Sequence, residues 1–363
     1  MKIIVVDDKS TDETAYIVQE KYGNVLFIKN EPDMNVGTYY KEKRILITGG
    51  LGFLGSNLTH KLVSFGAKVT IIDNLDPLYG GNPYNVESIR DRIRIIIGDV
   101  LDESLITPLL RECDLIFHFA AQVSYIDSLN IPFRDLELNA RATLLILEII
   151  RKHKLPVKIV FSSSRMVIGK TNNLLVDESI NTNPLSLYAI HKLTSEKYLL
   201  MYHNDFGIPV IIFRITNPYG IRQQLKHNKY SLVGWFIRVA MENKPITIFG
   251  DGKQLRDYIY VEDIVEAFLL STANPKSTGE IINLGSGYSS EFCEMVKNVI
   301  RIVGSGEIKY VDWPANYERI ETGNFQVDIS KLKSLTGWTP SFHLEEGIRE
   351  TYKYYKSRLS YYI

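Results

Sequence analysis

The sequence predicts an α/β protein: a Rossmann-type doubly wound parallel sheet with a smaller C-terminal substrate-binding lobe. Three observations predict it. From Arg44 onward, short apolar segments alternate with helix-length ones, as a parallel sheet with helices on both faces requires. A glycine-rich turn, Thr48-Gly49-Gly50-Leu51-Gly52-Phe53-Leu54-Gly55, falls between the first such strand and its helix. After about Asn217 the alternation loosens into shorter elements separated by turn signals.

The elements follow in order. Arg44–Thr48 reads as a strand, Ser56–Phe65 as a helix and Lys68–Asp73 as the next strand. Ile93–Ile97, Leu115–Ala120, Val157–Ser162 and Val210–Ile215 continue the apolar strands. Asn217–Tyr230, rich in Gln, Lys, Asn and Gly, reads as a long loop, and Ile246–Phe249 and Ile308–Val311 as short strands beyond it. The expected division is an N-terminal extension over 1–40, a dinucleotide-binding domain over 41–220 and a substrate lobe over 221–363.

Composition narrows the function classes. Among 363 residues, 42 Lys and Arg balance 42 Asp and Glu. Zero net charge gives no electrostatic case for nucleic acid or an anionic membrane. Two cysteines, Cys113 and Cys293, offer no disulfide framework and suit a reducing compartment. No stretch approaches the roughly 20 apolar residues of a membrane span, and Asp7 and Asp8 interrupt the first apolar run. The expected location is the cytoplasm. The seven histidines show no metal-ligand spacing, so no metal is expected.

The glycine turn carries the first chemistry. Gly49 permits a tight turn, Gly52 lets the backbone approach a pyrophosphate, and Gly55 lets helix and strand pack closely. The helix start offers free N–H groups to phosphate. Asp73 ends the second strand 18 residues after Gly55, where a carboxylate accepts from ribose hydroxyls and repels a 2′-phosphate; NAD is therefore expected. Asp99, in Gly98-Asp99-Val100, ends the third strand and is placed for the adenine.

Tyr188 and Lys192 are four residues apart, so a helix puts them on one face. An ammonium beside a phenol stabilises the phenolate and makes tyrosine a usable base. The pair follows a strand ending in Ser162-Ser163-Ser164, at the sheet edge where open α/β folds bind ligands. His191 lies off that face and His118 at a strand end, and both read as packing residues.

Over about residues 43–355 the chain resembles the extended short-chain dehydrogenases, specifically their nucleotide-sugar epimerase/dehydratase group. The motifs are TGGLGFLG (48–55), GDV (98–100), HFAAQ (118–122), Asn139, SSS (162–164), YAIHK (188–192), RITNPYG (214–220), RDYIYVEDI (256–264) and GWTP (337–340). The resemblance implies that Tyr188 is the base and acid, Lys192 its ribose-binding partner, Ser164 the residue orienting the sugar hydroxyl, and Asn139 a support of the active-site helix. It implies that Phe53, Leu54, Asn74, Val100, Ala120, Ala121 and Gln122 join the glycines and acids around NAD. Ser124, Ser164, Arg165, Asn217, Gln224, Arg256 and Arg319 would face the nucleotide sugar. A homodimer is implied, formed through the Tyr188 helix and the helix before the HFAA strand.

Departures select the reaction. Dehydratases of this group carry Asp then Glu after the catalytic hydroxyl, and decarboxylases carry the Glu; here stand Arg165 and Met166. Methionine transfers no proton, which leaves 4-epimerisation through a transient 4-keto sugar. Uronate epimerases place a second arginine where Gln224 stands, so a neutral UDP-hexose is the expected substrate, although Arg165 reads equally as a carboxylate ligand and as a structural contact. Ile168 replaces a tyrosine usual in the group. The alternatives are a 2-epimerase, a uronate epimerase, a reductase, or a silent NAD-binding regulator. Intact Ser164, Tyr188 and Lys192 argue against the last.

Residues 3–37 lie outside this pattern. Two strands (Lys2–Val6, Val25–Lys29) flank a helix expected over about Asp12–Lys21, and the paired aspartates with Asn30 and Asn35 resemble the start of a family-2 glycosyltransferase. So short a piece cannot bury its own core. No transferase activity is expected, and the segment is either a docked βαβ-like unit or a remnant.

Overall fold

The computed structural model describes residues 4–7, 26–29, 36–229 and 232–363. The chain divides into two compact units, Met1–Tyr39 and Tyr40–Ile363. In the first, Ile4–Asp7 and Leu26–Lys29 pair in parallel. The helix expected over Asp12–Lys21, and the side chains of Asp8, Asn30 and Asn35, lie outside the described residues.

The second unit is built on a seven-stranded sheet: β1 Arg44–Thr48, β2 Lys68–Asp73, β3 Arg94–Ile97, β4 Leu115–His118, β5 Lys158–Ser164, β6 Val210–Ile215 and β7 Ile281–Leu284. All six pairings are parallel, in the order 3-2-1-4-5-6-7. The order reverses between β1 and β4. Their carboxyl ends therefore splay apart into a ligand crevice.

The near-continuous apolar strands are explained by burial on both faces. Leu46, Ile116, Ile159 and Ile212 pack with the helices Glu103–Glu112 and Ala142–His153 in one core. A second core lies beyond residue 220, where Phe236, Ile237, Ile248, Tyr260, Phe292 and Val296 meet. That region also returns β7 to the sheet beside β6.

Several boundaries differ from the sequence reading. The first helix starts at Phe53, not Ser56, because Gly52 already serves as its N-cap. β5 runs on to Ser164, because all three serines stay in register with β6. Asn217–Tyr219 is not loop: it pairs in parallel with Tyr258–Tyr260.

Exposed apolar side chains gather at Leu129, Phe133, Leu136 and Ile190. These lie on Asp127–Asn130, Pro132–Leu136 and the Tyr188 helix, which pack together. The helix before the HFAA strand, Glu103–Glu112, instead turns Ile106, Leu109 and Leu110 inward. No helix among the described residues is long and apolar enough to cross a membrane.

Candidate active site

One cavity of about 650 Å³ opens along the carboxyl edge of the sheet and continues between the two cores. Its cofactor half is lined by Gly49, Gly52, Phe53, Leu54, Gly55, Asp73, Asn74, Asp99, Val100, Ala120 and Ala121. Gly49 has φ +69°, and a Cβ there would come 2.9 Å from the Ala120 nitrogen. A Cβ on Gly55 would come 2.4 Å from the Gly49 oxygen, so only glycine lets this helix approach the strand. No side chain caps the helix at Gly52, which leaves its first N–H groups for a phosphate.

Asp73 is buried and, among the described residues, meets no cation. Its oxygens accept the Leu51 N–H at 3.1 Å and the Leu75 N–H at 2.9 Å. Burial raises its pKa, and those N–H groups oppose the rise. A carboxylate so placed fits a ribose diol and has no partner for a 2′-phosphate. The glycine cradle, the uncapped helix and Asp73 thus fit NAD. Burial opposes the charge of Asp99, but its carboxyl accepts the Leu101 N–H at 3.0 Å, Arg134 at 3.1 Å and Asn74 at 3.4 Å, and these hold it below the usual range.

Gln122, by contrast, does not line the cavity. It is fully buried, with its amide donating to the Ser124 oxygen at 2.7 Å and accepting the Ser124 N–H at 2.6 Å. Ser124 is equally buried, and its hydroxyl accepts the Asp127 N–H at 3.0 Å. Both shape the turn behind the wall, as residues of a tight loop must when their own polar groups are closed off from water. The residues of this turn that line the cavity are Val123 and Tyr125.

The helix carrying Tyr188 and Lys192, Leu187–Phe206, is capped by Ser186, whose hydroxyl accepts the Ala189 N–H. Tyr188 and Lys192 both line the cavity with Ser162, Ser163 and Ser164. Burial pushes Tyr188 up to about 12, and a hydrogen bond with Ser164 partly offsets it. Lys192 is buried, donates to the Ser162 oxygen at 3.0 Å and lies 4.7 Å over the Phe161 ring. Burial lowers it to about 8. The ammonium therefore spends itself on strand β5, and no hydrogen bond joins it to Tyr188. This corrects the expectation that the adjacent ammonium lowers the Tyr188 pKa.

The helix is pinned from beneath by Glu196. Fully buried, it accepts Ser163 Oγ at 2.5 Å and the Arg214 fork at 2.7 and 3.0 Å. On its other side, His191 meets Asp135 at 2.5 Å. Asn139 sits in a π-helical turn, Glu137–Arg141, donates to the Gln122 oxygen at 2.9 Å and to Asp135 at 3.1 Å, and its own oxygen accepts Ser195 Oγ at 2.6 Å. The oxygen that takes Ser195 Oγ is the Asn139 main-chain one, so Asn139 stands behind the cavity and joins the turn to the helix. His118 shares a 2.8 Å hydrogen bond with Thr48, and burial pushes it down to about 3, so it stays neutral.

The substrate half contains Arg165, Asn217, Gln224 and Arg256. Asn217 donates to the Asp257 oxygen at 2.7 Å. Arg256 pairs with Glu321 at 2.5 Å and donates to the Leu255 and Gly323 oxygens. Arg319 lies outside the lining residues: it follows the short helix Ala315–Glu318 as an exposed C-cap, while its neighbours Glu321 and Thr322 face the cavity. The sequence also passed over Trp313, Tyr317 and Phe249, whose rings cluster 5.3–5.6 Å apart at the far end. No local spacing marks them, because they come from two segments.

A family model described as the NAD-dependent epimerase/dehydratase family matches residues 45–285. A putative UDP-glucose 4-epimerase of Methanocaldococcus jannaschii is 36% identical over 316 residues, covering 86% of this chain and 98% of its own length. A UDP-N-acetyl-alpha-D-glucosaminuronate decarboxylase of Bacillus cytotoxicus is 33% identical over 326 residues, covering 87% and 98%. The solved UDP-glucose 4-epimerase of Thermotoga maritima, with UDP-glucose, aligns with a TM-score of 0.80 at 30% identity over 87% of this chain and 99% of that one.

Proposed function

Because the chain belongs to the NAD-dependent epimerase/dehydratase family, and so uses NAD on a nucleotide sugar, we propose that it is a 4-epimerase of a nucleotide-diphosphate hexose. The carrying observation is the absence of a free acid beside the reacting hydroxyl. Met166 follows Arg165 there, and Glu321 is the one lining carboxylate of the substrate half among the described residues. Arg256 and the Gly323 N–H hold it. Elimination or decarboxylation needs a further proton-transfer group, whereas epimerisation needs only one base that later returns its proton.

Ser164 orients the sugar O4 toward Tyr188. Tyr188, as phenolate, takes the O4 proton as a hydride leaves C4, and a 4-keto sugar results. NAD, held by the glycine cradle and Asp73, would accept and return that hydride, and its positive charge would favour the phenolate that burial opposes. Once the keto sugar presents its other face, the Tyr188 phenol gives the proton back to O4. No net oxidation remains. Gln224 places no demand on the sugar's charge, because its oxygen accepts the Lys226 N–H at 2.7 Å and its amide nitrogen lies against His227. The neutral hexose expected from this residue rests only on the absence of an arginine there.

The test is a panel of UDP-, dTDP-, CDP- and GDP-linked hexoses and hexuronic acids with products identified by NMR. Formation of a 4-epimer without added reductant is expected, and no conversion of any 4-hydroxy sugar rejects the reading. The exposed Leu129, Phe133, Leu136 and Ile190 patch supports a homodimer through the helices that carry it.

A further inference from the structure

Arg165 follows Ser164 at the end of β5 and is 7% exposed. Its Nη1 donates to Thr322 Oγ1 at 2.7 Å, and its guanidinium lies 4.8 Å from the Phe325 ring centroid. Phe325 belongs to one apolar cluster with Val167 and Ile168, which holds the guanidinium to the turn that follows Ser164. Among the described residues this is its one hydrogen bond, out of five N–H donors, and no carboxylate lies within ion-pair distance. Glu321, on the same wall, is committed to Arg256 and the Gly323 N–H.

Two guanidiniums thus share a buried wall with one carboxylate. Burial, and repulsion from Arg256, push Arg165 down to about 10. A purely structural buried arginine would have its donors used and its charge matched, since an unpaired buried charge is costly. Here the unused donors border the cavity. The planar fork suits a two-oxygen anion.

We propose that Arg165 binds an oxyanion carried by the sugar itself, so that the substrate is a nucleotide-diphosphate hexuronic acid. The inference rests on Ser164 and Tyr188 marking the reacting hydroxyl. Arg165 is Ser164's chain neighbour and is held at that end, which places it nearer the sugar ring than the diphosphate.

The full-length protein and its Arg165→Met and Arg165→Lys variants are offered UDP-glucuronate, UDP-glucose and UDP alone, with binding followed by calorimetry and products by NMR. The wild type is expected to favour UDP-glucuronate over UDP-glucose by about 100-fold in kcat/KM. Arg165→Met removes that preference, Arg165→Lys restores part of it, and all three bind UDP equally. If Arg165→Met weakens UDP as much as UDP-glucuronate, the oxyanion is the diphosphate and the proposal falls. If the wild type prefers UDP-glucose, the proposal falls while the 4-epimerase reading survives. Arg165-dependent binding of UDP-glucuronate without any 4-epimer supports Arg165 and counts against that reading. Thermal melting of both variants separates lost recognition from lost fold.

Discussion

Lys192 donates to the main-chain oxygen of Ser162 at 3.0 Å, which ties the helix carrying Tyr188 to the strand carrying Ser164. Base and hydroxyl are held in one frame by a charged group that burial has brought down to about 8. The pH profile of kcat/KM should reflect this. Its acidic limb rises with pH, because Tyr188 must lose a proton whose release burial opposes and the positive charge of NAD would favour. Its alkaline limb falls as Lys192 loses charge above about pH 8. Lys192→Arg, which stays charged, should show no such fall, and an unchanged alkaline limb in that variant removes Lys192 as its source.

The same burial has a cost in stability. Lys192 falls from its ordinary value of 10.5 to about 8 in the fold, so between those values the unfolded chain binds more protons. Stability contributed by this group therefore rises with pH through that window. Lys192→Met should be more stable than the wild type at pH 7 and lack that rise, while losing activity. Urea unfolding at pH 7 and pH 9.5 measures both effects.

Tyr188→Phe removes the proton acceptor but leaves the glycine cradle and Asp73 intact. Turnover should drop by about 10³-fold or more, in the range of general acid–base losses, with NAD still bound. Retained turnover would assign the proton to another group.

The Arg214–Glu196 pair is the clearest buried ion pair of the catalytic frame, with side chains 3% and 0% exposed. Arg214→Met strands the Glu196 charge and should cost about 3–5 kcal/mol. Adding Glu196→Leu should recover much of that loss, because the cost lies in the orphaned charge. Denaturant midpoints of the two variants decide it.

Phe133, at 80%, is the most exposed side chain of the apolar patch. Phe133→Asp should convert a dimer to a monomer in sedimentation velocity, with monomer melting unchanged. A monomeric wild type would remove the patch as an interface.

What the sequence determined was local or strictly periodic. Unbroken apolar strands encode a sheet buried on both faces, and Gly49, Gly52 and Gly55 encode a turn that only glycine can make. Tyr188 and Lys192 share a helix face by their spacing alone. The tertiary structure decided what depends on segments distant in the chain. The resemblance grouped Gln122 and Ser124 with the ligand residues, yet their polar groups are consumed by their own turn, which only its folded geometry reveals. Lys192 turns to Ser162 because β5 lies beneath the helix, and no helical spacing encodes that oxygen. Arg165 is the sharpest case. In sequence it reads equally as ligand or structural contact, and its lack of a counter-ion emerges only where Glu321, 156 residues later in the chain, is already bound to Arg256. Charge balance in a buried site is a property of the assembled wall, so the chain order alone could not supply it.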